Sequence, residues 1–185
     1  MHIDHHSGLL DAARQLASPN ADARPAGCAI DLLVIHAISL PAGEFGGPWI
    51  DALFCNRLDG DAHPDFADIC TLTVSAHALI RRDGEIVQYV PFQRRAWHAG
   101  VSRFEGRERC NDFSIGIELE GCDQHPFEPV QYRRLATLSR ALMRTYPGIT
   151  PARICGHSDI APGRKTDPGP LFDWSLFREL LARDD

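Results

Sequence analysis

The sequence predicts a single α/β domain of the mixed α+β type, in which helices flank a mixed central β-sheet. A chain of 185 residues has the length of one domain. Short apolar segments typical of strands are followed by longer amphipathic segments typical of helices. Their order is strand, two strands, strand, helix, strand and helix. This order is neither strictly alternating nor all-β, and it favours a mixed sheet with helices packed on it.

The first predicted strand lies within residues 28–40, which read CAIDLLVIHAISL. Its continuous run of branched apolar residues is typical of a central strand that is buried on both faces. Pro41 and the glycines that follow it end the strand. A short helix is predicted over 49–54. The long loop after it shows no periodicity, and loops of this kind inside compact domains are often functional.

A β-hairpin is predicted next. The segments TLTVSAHALI (71–80) and EIVQYVP (85–91) have the composition of strands. The turn between them contains Asp83 and Gly84, and an Asp-Gly pair between two apolar runs is a strong hairpin signal. We therefore expect these two strands to pair antiparallel.

The remaining elements follow from periodicity. FSIGIELE (113–120) alternates with a period of two, which predicts a strand whose two glutamates share the face opposite the isoleucines. Residues 128–148 place leucines three and four positions apart, which predicts an amphipathic helix that ends at Pro147 and Gly148. A short strand at 152–155 and a closing helix at 172–184 complete the domain.

Composition and charge exclude several functional classes. The net charge is −6, whereas general binding to nucleic acid or to anionic membranes relies on an excess of Lys and Arg. The N-terminus lacks the basic start and the apolar stretch of a signal peptide. The longest apolar run is about half the length that spans a bilayer. We therefore expect a cytoplasmic protein that binds neither nucleic acid nor membrane.

Three side chains form a candidate zinc site: His36 in the first strand, His157 after the last strand, and Asp167 in a loop rich in Pro and Gly. Taken singly, His36 has the surroundings of a core histidine and Asp167 those of a turn residue. Taken together, two imidazoles and a carboxylate match the three-ligand set of a catalytic zinc site, which keeps one position open. The loop would hold Asp167 with little backbone entropy left to lose on folding.

Two further residues are candidates for the chemistry of such a site. Glu118 could act as a general base beside the metal, and Gly116 would let another group approach the backbone closely. Lys165, two residues before Asp167, could stabilise a developing oxyanion. The alternatives are ordinary ones: a solvent-facing strand residue for Glu118 and a surface lysine for Lys165.

Four segments of the chain carry a resemblance to a known family: VIHAISLPAGEFGGPWIDALF, VSAHALIRRDGEIVQYVPF, RAWHAGVSRFEGRERCNDFSIGIELEG and GHSDIAPGRKTDPGPLFDW. They resemble the AmpD family of zinc-dependent N-acetylmuramoyl-L-alanine amidases, whose fold is shared with peptidoglycan-recognition proteins. The resemblance extends from about residue 30 to residue 177. It implies one amidase domain over residues 1–185, with 1–27 as a peripheral N-terminal segment, and one Zn²⁺ per chain.

Carried over residue by residue, the resemblance implies a role for eight positions. The metal ligands fall on His36, His157 and Asp167. The two catalytic residues fall on Glu118 and Lys165. Substrate-binding residues fall on Arg109, Asn111 and Arg164. The planar guanidinium of arginine suits the carboxylates of a lactyl group and of a peptide stem.

The implied reaction is hydrolysis of the amide between the lactyl group of (1,6-anhydro)-N-acetylmuramic acid and L-alanine of the stem peptide, in peptidoglycan recycling. The implied partner is an anhydro-muropeptide or muropeptide, and we expect a monomer. Two alternatives remain open. A non-catalytic binding module of the peptidoglycan-recognition type would typically lack a ligand or the base. A non-haem iron oxygenase also uses two histidines and one carboxylate, but usually spaces the first histidine and the carboxylate closely.

Overall fold

The computed structural model of the protein describes residues 1–183, so residue 184 of the predicted closing helix lies outside the described residues. The strands in this part of the chain are β1 (Arg14–Gln15), β2 (Ala21–Asp22), β3 (Leu32–Ile38), β4 (Ala78–Ile80), β5 (Ile86–Gln88), β6 (Arg95–Ala96), β7 (Arg103–Phe104), β8 (Arg107–Glu108), β9 (Ser114–Glu120) and β10 (Ile154–Gly156). The α-helices are α1 (Trp49–Phe54), α2 (Pro129–Thr145), α3 (His157–Ile160) and α4 (Trp174–Ala182).

Six of the strands form one mixed sheet in the order β1-β5-β4-β9-β3-β10. The neighbours β4, β9, β3 and β10 all run parallel to one another. Strand β5 pairs antiparallel with β4 and parallel with β1. The predicted fold class, a mixed sheet flanked by helices, is therefore confirmed.

The sheet is buried on both faces. Helices α2 and α4 belong to the core that covers Leu33, Ile35 and Ile80. Helix α1 belongs to the core that covers Leu79 and Val87 on the opposite face. Neighbouring residues of one strand point to opposite faces, which is why Leu79 and Ile80 enter different cores. Each such side chain contributes about 1.5–3 kcal/mol when it is fully buried.

Several predicted elements are confirmed. The strand in 28–40 is the central β3, and the short helix is α1 over its predicted range. The hairpin pairs Ile80 with Ile86, as its Asp-Gly turn predicts. Its first strand is shorter than predicted. The regular pairing is interrupted at His77, whose one carbonyl oxygen accepts from the amides of both Tyr89 and Val90, and the amide of Ser75 donates to Trp97 instead.

Strand β9 excludes the solvent-facing alternative for Glu118. All seven of its residues are buried, because β4 and β3 flank it and both faces of the sheet are covered. A solvent-facing position for Glu118 is therefore wrong. Helix α2 is tied to this region by Gln131, whose Nε2 donates to the carbonyl oxygens of Glu120 and Ile80 at 3.0 and 3.2 Å.

The N-terminal segment 1–27 supplies β1, which pairs with β5 at the edge of the central sheet, and β2, which pairs with β6 in a separate two-stranded sheet. It nevertheless contributes to the core, because Ile3 and Leu10 are each only 2% exposed. Arg24 reaches inward and donates to the carbonyl oxygens of Phe92 and Ser114. Within residues 1–183, no helix has both the length and the apolar character needed to cross a membrane.

Candidate metal centre and active site

The register of three parallel strands brings distant residues to one edge of the sheet. His36 of β3 pairs directly with Glu118 of β9. Gly156, the last residue of β10, pairs with Ile35, so His157 follows at the position beside His36. Ligand sites of α/β proteins lie at the carboxyl ends of parallel strands, which is where these side chains meet.

His36, His157 and Asp167 form a compact cluster with three converging atoms. The Nδ1 atoms of the two histidines are 3.0 Å apart. Oδ2 of Asp167 lies 3.1 Å from Nδ1 of His36 and 3.0 Å from Nδ1 of His157. Zinc binds such nitrogen and oxygen atoms at about 2.0–2.2 Å, so a single ion can contact all three. The structure thus brings together the three side chains that the sequence proposes.

Asp167 reaches the cluster because its loop is fastened to α3. The amide of Ser158 donates to the carbonyl oxygen of Asp167 at 2.9 Å. The amides of Arg164 and Lys165 both donate to the carbonyl oxygen of Ala161 at 3.1 Å. These bonds fold the loop back over the start of α3, where His157 lies.

Both histidines have a partner for the ring nitrogen that faces away from the cluster. Nε2 of His157 lies 3.2 Å from the carbonyl oxygen of Ala99, an acceptor, and 3.4 Å from Nη2 of Arg164, a donor. Nε2 of His36 lies 2.9 Å from Nδ1 of His98. Metal-binding histidines are usually held in this way by a second hydrogen bond.

Burial sets the charge of the cluster. It lowers the pKa of His36 to about 4, although the hydrogen bond with Asp167 opposes the shift, so this imidazole is neutral at neutral pH. Burial alone would raise the pKa of Asp167, but the adjacent rings of His157 and His36 lower that pKa below its usual 3.8. A neutral imidazole and an ionised carboxylate are the forms that bind a metal.

Glu118 is buried beside the cluster, with 8% of its surface exposed. Within residues 1–183, no group forms a hydrogen bond with its buried Oε2 atom. Burial raises the pKa of Glu118 well above its usual 4.5; the charge of Asp167 adds to this shift and the charge of Lys165 opposes it. A buried carboxylate oxygen without a protein partner is costly, and this one is available to a ligand.

Glu118 and Lys165 line one cavity of about 260 Å³ together with the three cluster residues. Much of the remaining wall is apolar and comes from the end of β3, from α1 and from neighbouring loops: Ile38, Leu40, Leu53, Phe54, Ile69, Leu72, Val74 and Trp97. Charges interact more strongly beside such a wall than in water. The cavity therefore combines a possible metal site with a carboxylate and an ammonium group.

The two predicted substrate-binding arginines line a second cleft, of about 510 Å³. Nη2 of Arg164 donates to the carbonyl oxygens of Ala99 and Val101 at 2.7 and 2.8 Å, which fixes the guanidinium beside His157. The side chain of Arg109 is 72% exposed, and its Nε lies 3.4 Å from a carboxylate oxygen of Asp112. Both arginines can therefore reach a ligand in this cleft.

Asn111, the third predicted substrate-binding residue, has a different place. Its Oδ1 accepts hydrogen bonds from the amides of His98 and Ala99 at 3.1 and 2.8 Å. Asn111 is not among the residues that line either space. Direct contact with substrate stays a prediction for this residue, and its visible contact is with the segment that carries the partners of both histidines.

Sequence reasoning missed His98 and Ser114. Oγ of Ser114 lies 3.2 Å from Nε2 of His98, and the same ring contacts His36. The only available signal was Gly116, which the sequence suggests as a site of close approach. A Cβ atom there would lie 2.4 Å from the His98 ring, so the approaching group is His98.

Comparisons with known proteins agree with this geometry. The family model described as N-acetylmuramoyl-L-alanine amidase matches residues 26–170. The 1,6-anhydro-N-acetylmuramyl-L-alanine amidase AmpD of Escherichia coli K12 is 62% identical over 177 residues, which cover 96% of each chain. The crystal structure of a selenomethionine derivative of AmpD superposes with a TM-score of 0.94 at 60% identity, covering 98% of this chain and 99% of the other.

A third relative has been solved with a ligand. The complex of the E. coli amidase AmiD with anhydro-N-acetylmuramic acid-L-Ala-D-γ-Glu-L-Lys has a TM-score of 0.60 at 34% identity. It covers 85% of this chain and 60% of that chain. Fold and matches together define the class of enzyme, a hydrolase of amide bonds. The chain belongs to the N-acetylmuramoyl-L-alanine amidase family, which disfavours both the non-catalytic binding module and the iron oxygenase.

Proposed function

We propose that the chain hydrolyses the amide between the lactyl group of 1,6-anhydro-N-acetylmuramic acid and L-alanine of the stem peptide. The observation that carries the proposal is the meeting of His36, His157 and Asp167 with Glu118 and Lys165 in one cavity. The relatives support the substrate: AmpD is named for the anhydro sugar, and AmiD binds an anhydro-muramyl tripeptide.

His36, His157 and Asp167 would hold one zinc ion per chain. The donor set fits, because two imidazole nitrogens and a carboxylate oxygen lie 3.0–3.1 Å from one another. Three protein ligands also leave a position open, as catalytic zinc sites require. When bound, zinc would supply Lewis-acid polarisation of the amide carbonyl and would lower the pKa of water.

Glu118 would accept the proton of the attacking water and deliver it to the leaving amine of L-alanine. A base works best when its pKa lies near the operating pH, and burial moves the pKa of Glu118 in that direction. Lys165 would donate to the carbonyl oxygen of the scissile amide as negative charge develops on it. Such a donor typically contributes about 10²–10³ in kcat.

Arg109 and Arg164 would bind carboxylates of the peptide stem in the second cleft, through their guanidinium N–H groups. Asn111 would support the cleft by holding the amides of His98 and Ala99. The substrate would then lie across both spaces, with its scissile bond beside Glu118.

We further propose that residues 1–185 act as one amidase domain, as a monomer in the cytoplasm, on muropeptides from cell-wall recycling. The net charge of −6 supports a partner other than nucleic acid or an anionic membrane. The AmpD relative of E. coli matches 96% of this chain, which supports a single domain of this extent.

The proposal can be tested with the zinc-loaded protein and an anhydro-muramyl tripeptide, followed by mass spectrometry. We expect free tripeptide and anhydro-N-acetylmuramic acid as the two products, with a slower reaction on the muropeptide whose sugar is reduced. Glu118→Gln is the matched control, because it should bind zinc and substrate yet release almost no peptide. Stable binding of intact substrate by the wild-type protein would contradict an amidase and indicate a binding module.

A further inference from the structure

A buried hydrogen-bonded relay lies behind His36 and leads away from the candidate metal centre. Nε2 of His36 is 2.9 Å from Nδ1 of His98. Nε2 of His98 is 3.2 Å from Oγ of Ser114. Oγ of Ser114 in turn donates to the carbonyl oxygen of Cys110 at 2.6 Å. The relay thus starts at an atom that can only accept a hydrogen bond and ends on the ring of a candidate ligand.

The direction of each hydrogen bond follows from that fixed end. The single hydroxyl proton of Ser114 goes to the Cys110 carbonyl, so Oγ is left to accept from Nε2–H of His98. A neutral imidazole carries one N–H, and Nδ1 of His98 therefore presents a lone pair. His36 must donate to it from Nε2, and this leaves Nδ1 of His36 unprotonated where it faces His157 and Asp167.

We propose that His98 is a positioning residue of the metal centre, which fixes the Nε2–H tautomer and the orientation of His36 through this relay. The inference rests on the metal site of the proposed function. Within residues 1–183, Nε2 of His36 has no hydrogen-bond partner other than His98. Ligand orientation by such partners is a general feature of metal sites.

The packing around His98 supports a positioning role. Its ring stands edge-on to that of His36, with centroids 5.0 Å apart and planes at 88°. Gly116 makes room for the ring, since a Cβ atom there would lie 2.4 Å from it. The amide of His98 is held by Asn111 Oδ1 at 3.1 Å. Backbone and side chain of His98 are therefore both fixed relative to His36.

The test measures zinc affinity by competition with a chromophoric chelator. His98→Leu removes the acceptor while nearly keeping the volume, and loss of such a partner typically weakens metal binding by about 10–100-fold. His98→Asn can place an amide oxygen near the position of Nδ1, and we expect it to restore most of the affinity. Phe113→Leu is the matched control, because it alters the core next to Ser114 without touching the relay.

A second measurement uses the wild-type protein and therefore does not depend on whether a variant folds. Long-range ¹H–¹⁵N correlation spectra of the metal-free protein report which ring nitrogen carries the proton. We expect His36 and His98 both as Nε2–H tautomers. A proton on Nδ1 of His36, or unchanged zinc affinity in folded His98→Leu, would overturn the positioning role while leaving the amidase proposal intact. Failure of the wild-type protein to bind zinc would instead overturn the proposed metal site.

Discussion

Two glutamates on the same strand differ in their hydrogen-bond partners. Glu118 and Glu120 lie two residues apart on β9 and are both buried. The Oε1 atom of Glu120 accepts from the amide of Gly46 at 2.7 Å and from Nη1 of Arg81 at 3.3 Å. Its Oε2 accepts from the amide of Arg82 at 3.2 Å. The buried Oε2 of Glu118 has no partner in residues 1–183.

The difference lies in the partners, because residue type, strand and burial are the same. A carboxylate whose oxygens are all hydrogen-bonded fixes the structure around it, since removing any partner leaves a charge unpaired. A carboxylate left unpaired in a cavity is free to exchange protons with a ligand. Four predictions test this contrast, and they run from the largest expected effect to the smallest.

Replacing Glu118 with glutamine should give the largest effect. Loss of a general base typically slows turnover by about 10²–10⁴. The free energy of unfolding should not fall, because the variant removes a charge that burial disfavours. Steady-state kinetics and urea unfolding of the same preparation check both parts. Wild-type turnover in E118Q would show that another group is the base.

Replacing Glu120 with glutamine should lower the free energy of unfolding and leave turnover unchanged, the reverse of the effect at Glu118. Breaking a buried ion pair costs about 3–5 kcal/mol of unfolding free energy, and we expect the low end because Arg81 keeps Asp51 and Glu85 as partners. Turnover of the folded fraction should match wild type. Urea unfolding followed by circular dichroism measures the loss. Equal stability combined with lost activity would reverse the assignment of the two glutamates.

Replacing Lys165 with methionine should lower kcat by about 10²–10³ through the loss of one oxyanion donor. It should also move the pH dependence. The positive charge of Lys165 lowers the pKa of Glu118, so its removal raises that pKa, and the base then becomes active only at higher pH. The acidic limb of the kcat profile should therefore shift upward, whereas Lys165→Arg should keep it in place. A downward shift would contradict the electrostatic interaction between the two groups.

His77 extends the contrast to a buried histidine whose two ring nitrogens both have partners. Nδ1 accepts from the amide of Gly116 and Nε2 donates to the carbonyl oxygen of Arg94, each at 3.0 Å. Burial, reinforced by the charge of Arg24, lowers the pKa of His77 to about 3. The unfolded chain takes up a proton below its usual pKa of 6.5, and the folded chain does so only near that lower value.

The free energy of unfolding should therefore fall as the pH drops below 6.5, with a contribution from His77 of up to about 1.4 kcal/mol per pH unit. Urea unfolding at a series of pH values measures the slope. His77→Gln should remove this contribution, and a slope that persists unchanged in the variant would assign it to other groups.

Much of the fold could be predicted because its signals are local. The period of two in β9, the Asp83-Gly84 turn and the leucine spacing of α2 each lie within one segment of the sequence. Two-residue strands such as β1 have no periodicity to detect, and α3, with four residues, is too short for one. These elements depend on contacts with distant parts of the chain.

The candidate site could likewise be predicted only in part from the sequence. The convergence of His36, His157 and Asp167 could be proposed because their residue types and motifs are recognisable. The alternation of β9 places Glu118 and Glu120 on one face of the sheet. It does not show that Arg81, which lies far away in the sequence, forms a hydrogen bond with Glu120. The same holds for His98, whose partners come from three different segments.

The most direct measurement is anomalous diffraction at the zinc absorption edge from crystals of the zinc-loaded protein. We expect a single strong peak about 2.0–2.2 Å from Nδ1 of His36, Nδ1 of His157 and Oδ2 of Asp167, with the side chain of Glu118 beside it. Crystals with full zinc occupancy at another position, and none between these three atoms, would contradict the metal centre on which the amidase proposal depends.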